Sequence, residues 1–238
     1  MKLFSPLLCS GLFLASLHCA DASDSSTFWA IKTSLGEATM DNSSHNNGIG
    51  TGALIAGEID GQLEETTLTD YTAGVGLTLG QRFGNWQAEI DYLWRYRTDW
   101  DLVAPTPSIQ TITNVFSNVE TTSVMLNLAR RGVLSQFWSW EAGLGIGYVR
   151  NNVEASFIER ATDTLPEFEL KSDTKTSDFG YNVFVGVTRE VWRDWTLNVR
   201  ARYIDLGDLE AGPFDGRAVN LNGEHSSLEM QFALEHDF

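Results

Sequence analysis

The closing stretch of the chain is Ser227-Leu-Glu-Met-Gln-Phe-Ala-Leu-Glu-His-Asp-Phe238, and its pattern decides the fold. Its even-numbered residues Leu228, Met230, Phe232 and Leu234 are apolar, whereas the residues between them are small or polar. Because successive side chains of a β-strand point to opposite faces, this alternation predicts a strand with one apolar face. A strand with an exposed edge is a hazard, so we expect matching strands upstream that pair with this one.

Seven upstream segments repeat this alternation and bring the number of predicted strands to eight. Their other faces carry glycine, small polar residues and charges, and each segment of about ten residues is long enough to cross a bilayer on a tilt. The apolar faces are Trp29, Ile31 and Leu35; Val75, Leu77 and Leu79; Trp86, Ala88, Ile90, Tyr92, Trp94 and Tyr96; Val124, Leu126 and Leu128; Trp140, Ala142, Leu144, Ile146 and Tyr148; Phe179, Tyr181, Val183, Val185 and Val187; and Trp195, Leu197, Val199, Ala201 and Tyr203.

The connections between these segments alternate in length, as they do in an up-and-down barrel with all tight turns on one side. The sequence therefore predicts an all-β fold, an eight-stranded antiparallel up-and-down transmembrane β-barrel whose termini share the tight-turn side. Short connections are expected at 83–85, 131–137 and 190–194, and long polar ones at about 40–70, 99–120, 151–177 and 206–225.

The N-terminus has the features of a secretory signal. A positive Met1-Lys2 start, a short apolar run and the small residues Ala20 and Ala22 predict a signal peptide over 1–22, which leaves the barrel in 23–238. An N-terminal membrane anchor and lipidation at Cys19 are the alternatives. Since both cysteines lie in this segment, the mature chain is expected to contain no disulfide.

Alternation alone does not say which face is wet, because a soluble lipocalin-like barrel would turn the apolar face inward. A glycine-rich polar face suits a narrow, crowded lumen, and a secreted chain that ends on an aromatic residue fits membrane insertion. Aromatic belts also favour the membrane interpretation. The predicted membrane-interface aromatics are Trp29, Trp86, Trp138, Trp140, Trp195, Tyr96, Tyr148, Tyr203 and Phe238.

The stretch Arg202-Tyr203-Ile204-Asp205-Leu206-Gly207-Asp208, the eight strands and the terminal Phe238 resemble the small outer-membrane β-barrel proteins of the OmpA-membrane-domain, OmpX and opacity-protein type. The resemblance departs at His236, where such proteins place another aromatic or apolar residue. It implies an integral protein of the outer membrane of a diderm bacterium. Outer-membrane lipid, lipopolysaccharide and the barrel-assembly machinery, which would recognise the C-terminal strand, are the partners it implies.

The polar faces predict a lumen in which opposite charges nearly balance. An eight-stranded barrel is narrow enough to be filled by its own side chains, so a packed salt-bridge network is the preferred interpretation. A small-solute channel, porin-like, is the alternative. The predicted network contains Lys32, Arg82, Glu89, Asp91, Arg95, Arg97, Glu141, Arg200, Arg202 and Glu229, with Arg131 and Glu235 on the same face.

Catalysis has one candidate, a Ser/His/Glu relay of His225 and Ser227 with Glu229 or Glu235, which would make the protein a lipid-modifying enzyme. These residues share the parity of the lumen, whereas an enzyme acting on lipid needs its groups on the lipid face. No catalytic residue is therefore assigned. No metal or other cofactor is predicted, since no two histidines have ligand spacing. Nucleic-acid binding is disfavoured by the net charge of -16.

Negative charge is concentrated in the predicted long connections. Solvated acidic loops that only keep the surface soluble are one interpretation. The other is a structural or surface-interaction (adhesion-like) role, in which the loops engage cationic surface ligands or divalent cations shared with lipopolysaccharide. The acidic loop residues singled out are Asp41, Glu58, Asp60, Glu64, Glu65, Asp208, Glu210 and Asp215.

Overall fold

The computed structural model describes residues 25–42, 67–106, 111–160, 168–214 and 221–238. Within these ranges, no helix is long and apolar enough to span a membrane. Eight strands account for nearly all of the described chain. They are β1 (Ser25–Asn42), β2 (Thr67–Phe83), β3 (Trp86–Thr106), β4 (Thr111–Val133), β5 (Trp138–Arg160), β6 (Phe168–Trp192), β7 (Trp195–Ala211) and β8 (Leu221–Asp237).

The strands form one closed barrel in sequence order, and each is antiparallel to its neighbours. Stepping from partner to partner around the wall leads from Ser26 on β1 back to β1 at Gly36, a stagger of ten residues. Eight strands with this stagger enclose an interior just wide enough to be filled by side chains. The predicted fold class is confirmed.

All tight connections lie on one side of the barrel, together with the start of β1 and the end of β8. β2 and β3 are joined by Gly84 and Asn85, β4 and β5 by 134–137, and β6 and β7 by 193–194. At the same end, Phe28 on β1 lies opposite Asp237 on β8. We refer to this side as the periplasmic end and to the opposite side as the extracellular end.

The alternation along each strand puts apolar side chains on the outside and polar side chains on the inside. Leu79, Ile146 and Leu228 are more than 60% exposed, whereas Glu89 and Arg202 are at most 2% exposed. An outward apolar surface around a polar interior is the reverse of a soluble barrel and is the arrangement that lipid requires. The lipocalin-like alternative is therefore wrong.

The strands are much longer than the predicted length of about ten residues. They span 17 to 25 residues, so most of the predicted long connections at 99–120, 151–177 and 206–225 are strand instead. The polar composition of these segments concealed them, because backbone pairing extends beyond the membrane without an outward apolar face. The predicted signal segment 1–22 and the acidic residues Glu58, Asp60, Glu64, Glu65 and Asp215 lie outside the described residues.

The ladder of backbone pairs is interrupted at two places on opposite sides of the barrel. β2 and β3 pair only up to Gly74 and Arg95, and β6 and β7 only up to Tyr181 and Asp205, although all four strands continue further. We call these interruptions the β2–β3 seam and the β6–β7 seam. Beyond them the wall divides into two four-stranded sheets, one formed by β3, β4, β5 and β6 and the other by β7, β8, β1 and β2.

Candidate functional site

The interior of the barrel holds a continuous network of charges, whose extracellular part is built around two arginines. Arg202 donates from Nη1 to Asp91 Oδ2 at 3.0 Å and from Nη2 to Glu229 Oε2 at 2.6 Å. Arg95 Nε donates to the other oxygen of Glu229 at 2.5 Å, and Lys32 Nζ lies 2.7 Å from Asp91 Oδ1. Three cations therefore surround two carboxylates, and this group carries one excess positive charge.

The periplasmic part of the network has the opposite balance. Arg200 donates from Nη1 and Nη2 to Glu89 at 2.5 and 3.0 Å, and its Nε donates to Glu141. Asn198 Nδ2 donates to Glu141 at 2.9 Å and to Glu235 at 2.6 Å. The excess carboxylate charge of this group faces the excess cationic charge of Lys32 and the arginines above it.

Arg82 closes the periplasmic mouth of the lumen. Its guanidinium group donates to Glu235 and to Asp237, its Nε lies 3.2 Å from Gln87 Oε1, and its Cζ lies 4.2 Å from the centre of the Phe28 ring. Paired and hydrogen-bonded charges can be buried, whereas removing one member of such a pair is strongly destabilising. Among the described residues, the buried charged side chains are five cations and five carboxylates: Lys32, Arg82, Arg95, Arg200, Arg202, Glu89, Asp91, Glu141, Glu229 and Glu235.

Arg97, which the sequence also placed in the lumen, lies on the outside. The pairing of β3 with β4 shifts between Arg95 and Thr98, so two successive side chains, Tyr96 and Arg97, point outward before Thr98 returns to the interior. Arg97 then forms an exposed ion pair with Glu154 at 3.0 Å. A β-bulge re-aims side chains in this way, and strict alternation cannot reveal it.

Toward the extracellular end, the interior also holds an apolar cluster beside buried polar residues such as Thr121 and Asn151. Met125, Val149, Ile204 and Leu206 form a cluster with no exposed surface. Within the network, a cavity of about 10 Å³ lined by Lys32, among others, has room for about one water molecule. The described part of the lumen is therefore filled by side chains.

Near the extracellular end, β7 bends inward across this cluster. Gly207 has a φ of +74°, a conformation that favours glycine, and Asn151 Nδ2 on β5 donates to the carbonyl oxygen of Leu206 at 3.0 Å. β5 and β7 are separated by β6, so this hydrogen bond crosses the inner face of β6 and draws β7 into the lumen. The bend falls in the Tyr203-Ile204-Asp205-Leu206-Gly207 stretch that carried the family resemblance.

Aromatic side chains surround both ends of the apolar band. His236 packs edge-on against Trp195, with ring centres 4.7 Å apart, and stacks on Trp29 at 5.9 Å. His236, the residue that departs from the family pattern, therefore still contributes an aromatic ring that contacts Trp195 on β7 and Trp29 on β1. The remaining predicted interface aromatics also face outward: Trp86, Trp138, Trp140 and Phe238 near the periplasmic end, and Tyr96, Tyr148 and Tyr203 near the extracellular end.

The outer surfaces of the two extracellular sheets differ in charge. All four described lysines and arginines that face outward at this end, Arg97, Arg150, Lys171 and Lys175, belong to β3, β5 and β6. The sheet of β7, β8, β1 and β2 has none in its described part, and we call it the acidic sheet. Its outward-facing acidic residues are Glu37, Asp41, Asp205, Asp208, Glu210 and Glu224, whereas Asp70 shares the inward parity of Thr72.

Three carboxylates form a row across the acidic sheet. Asp208 lies opposite Glu224, and Glu224 lies opposite Asp41, all three with exposed side chains. Like charges directly opposite on neighbouring strands destabilise a sheet. Asp41, Asp208 and Glu210, which the sequence placed in loops, are thus on strands. No basic side chain of the described acidic sheet offsets the repulsion within the row of Asp208, Glu224 and Asp41.

The positions of its members do not support the catalytic relay that the sequence suggested. Ser227 Oγ donates to the carbonyl oxygen of Glu37 at 3.0 Å, and both carboxylate oxygens of Glu229 accept hydrogen bonds from guanidinium groups. His225 and Ser227 are buried inside the barrel. Among the residues that the structure describes, no group of three or more histidines, cysteines and acids is arranged to hold a metal ion.

A closed barrel with an apolar outer band, aromatic rings at both ends and a charged interior is the architecture of an integral outer-membrane protein. The family model described as "Outer membrane protein beta-barrel domain" matches residues 7–222, and the chain belongs to this family. The protein is therefore an integral outer-membrane protein.

Solved structures with a similar fold include Neisserial surface protein A, with 11% identity over 89% of this chain and 97% of that chain and a TM-score of 0.41. The outer membrane protein OprG from Pseudomonas aeruginosa has 14% identity, 88% and 95% coverage and a TM-score of 0.46. Ail, the attachment invasion locus protein of Yersinia pestis, has 11% identity, 86% and 97% coverage and a TM-score of 0.31. The comparison with curated proteins found no match. Likenesses at this level carry no functional information.

Proposed function

We propose that this protein is a surface-interaction protein: a closed barrel that holds the acidic sheet at the cell surface, where the sheet binds cationic partners. The observation that carries the proposal is the row of Asp208, Glu224 and Asp41 on three adjacent strands. A sheet that keeps directly opposed carboxylates loses stability. A cationic partner would offset that cost, because it neutralises the repulsion when it binds.

The filled interior supports a scaffold in preference to a channel. Five cations and five carboxylates occupy the lumen in mutual ion pairs, and the apolar cluster of Met125, Val149, Ile204 and Leu206 lies beyond them. A solute would have to separate buried ion pairs to pass, which is costly. A basic protein surface is the favoured partner, since it can span several carboxylates without the close geometry that a metal ion needs. Outer-membrane lipid, lipopolysaccharide and the barrel-assembly machinery remain predicted partners.

Binding of poly-L-lysine to the folded protein in lipid nanodiscs tests the proposal. The substitutions Asp41→Asn and Glu224→Gln together should weaken binding. Wild-type binding should fall steeply between 0.1 and 1 M salt, because the Debye length shrinks from about 10 to about 3 Å.

The matched control removes two carboxylates from the periplasmic end, with Glu190→Gln and Asp194→Asn. This variant has the same net charge as the test variant but an intact acidic sheet, so it should bind as the wild type does. Equal loss in both variants, or binding that ignores salt, would contradict the proposal.

A further inference from the structure

Along the β2–β3 seam, the described part of β2 gives the edge of β3 beyond Arg95 no backbone partner. β3 continues from Tyr96 to Thr106 beyond its last pair with β2, and β2 continues from Ala73 to Thr67. The other edges of the two strands are paired, that of β3 with β4 except at the bulge of Tyr96 and Arg97, and that of β2 with β1. Unpaired backbone groups on an edge are a template for pairing with another chain.

The direction of the free groups is fixed by one hydrogen bond across the seam. The backbone N–H of Asp99 donates to Asp70 Oδ2 at 2.9 Å, so the N–H of Asp99 points toward β2. Because backbone groups alternate sides along a strand, the N–H groups of Asp101 and Val103 face the same way. The next residue in this series is Pro105, which has no N–H group. Within sheets, proline is confined to edge positions of this kind, where no N–H is needed for pairing.

The β6–β7 seam shows how such an edge is closed when the chain itself satisfies it. Thr176 Oγ1 donates to the carbonyl oxygen of Asp208 at 3.2 Å, Thr174 Oγ1 donates to that of Gly212 at 2.6 Å, and Gly212 N donates to Ser172 Oγ at 2.9 Å. Side-chain hydroxyls therefore replace the missing ladder there. Across the β2–β3 seam, the described atoms make the single bond from Asp99 to Asp70.

We propose that the edge of β3 at the β2–β3 seam binds an extended, basic segment of a partner protein by strand addition. The partner backbone takes over the N–H of Asp99, and a lysine or arginine of the partner pairs with Asp70 as that carboxylate is released. Charge complementarity selects a basic segment, because Asp70 and Asp99 border the seam and Arg97 is already paired with Glu154. This inference rests on the proposed function and adds the mode of recognition to it.

Two peptides of equal charge separate strand addition from plain electrostatic attraction. One alternates lysine with threonine and can form a ladder, whereas the other is the same peptide with a methyl group on every backbone nitrogen and cannot, since it has no N–H to donate on either edge. With the folded protein in nanodiscs at low salt, the unmethylated peptide should bind about tenfold more tightly, which corresponds to about 1.4 kcal/mol.

A cross-link across the seam supplies the second arm of the experiment. In the Asp70→Cys, Asp99→Cys variant of the mature chain, a short thiol-reactive linker should remove the preference for the unmethylated peptide. The charge-matched control, Asp70→Ser with Asp99→Ser, should bind both peptides more weakly but keep the preference. The shift in gel migration on boiling verifies that each variant is folded.

The outcomes distinguish this inference from the proposed function. Equal affinity for the two peptides, or a preference that survives the cross-link, overturns strand addition at this seam and leaves binding of cations by the acidic sheet standing. Failure of both peptides to bind at low salt overturns the proposed function and this inference with it.

Discussion

Asp70 and Asp178 make the same pair of hydrogen bonds on opposite sides of the barrel. Asp70 accepts from Tyr71 N at 2.7 Å and from Asp99 N at 2.9 Å, and Asp178 accepts from Phe179 N at 2.7 Å and from Asp208 N at 3.2 Å. In each case an aspartate caps an N–H group on the facing strand where the backbone ladder stops. The two residues thus mark where one closed wall becomes two sheets.

The two aspartates should differ in their effect on local opening. Asp70→Ala removes the described bond across its seam, which costs about 1 kcal/mol and should speed hydrogen exchange at Asp99 roughly fivefold. Asp178→Ala should speed exchange at the amides next to Asp208 less, because Thr176 Oγ1 still donates to the carbonyl oxygen of Asp208 and holds the two strands together. NMR-detected exchange in micelles measures both rates, and equal acceleration in the two variants would contradict the difference between the seams.

The ion pairs of the lumen should contribute strongly to stability. Glu229→Leu leaves Arg95 and Arg202 without a shared carboxylate and should lower the free energy of unfolding by about 3–5 kcal/mol. Arg97→Met breaks only an exposed pair and should cost less than about 1 kcal/mol. Urea titration in micelles, followed by tryptophan fluorescence, compares the two variants. A similar cost for both would contradict the placement of Arg97 outside the lumen.

The filled interior should not conduct. In planar bilayers the wild-type protein should give no steady openings, because the charged network and the apolar cluster occupy the lumen. Reproducible openings that change in Arg95→Ala or Arg200→Ala would show that the lumen is a solute path and would favour the channel interpretation.

Membrane insertion has a simple signature on gels. On the periplasmic side of the two seams the barrel is fully closed and has no edge from which to unravel, so the folded protein should resist SDS at room temperature and change its migration after boiling. A single unshifted band would contradict the membrane interpretation, and so would recovery in the soluble periplasmic fraction.

The inward bend of β7 should depend on Gly207. Both Gly207 and Gly84 have positive φ, so alanine at either should cost about 1–2 kcal/mol. Only at Gly207 would the added methyl group also meet Asp178, whose Cβ lies 2.6 Å away, whereas nothing lies within 4 Å at Gly84. Thermal unfolding should therefore show the larger loss for Gly207→Ala. Equal losses would mean that the approach of Asp178 to β7 is readily relaxed.

The sequence by itself determined which side chains meet lipid and which meet the interior. The faces of Leu228 and Leu234, or of Glu229 and Glu235, follow from a period of two, which is a local property of an extended backbone. Closure followed as well, because eight such strands with alternating short and long connections favour one up-and-down barrel. The positions of the tight turns were also predictable, because each falls in a short segment between two alternating stretches.

Only the tertiary structure decided which charges pair and where the wall opens. Arg202 and Asp91 are 111 residues apart, and their contact depends on the stagger of the closed barrel, which no local pattern encodes. The outward turn of Arg97 and the length of the strands depend on how a segment pairs with its neighbours. Backbone pairing is blind to side-chain polarity, so Asp70 and Asp178 acquired their roles only when the sheets were assembled.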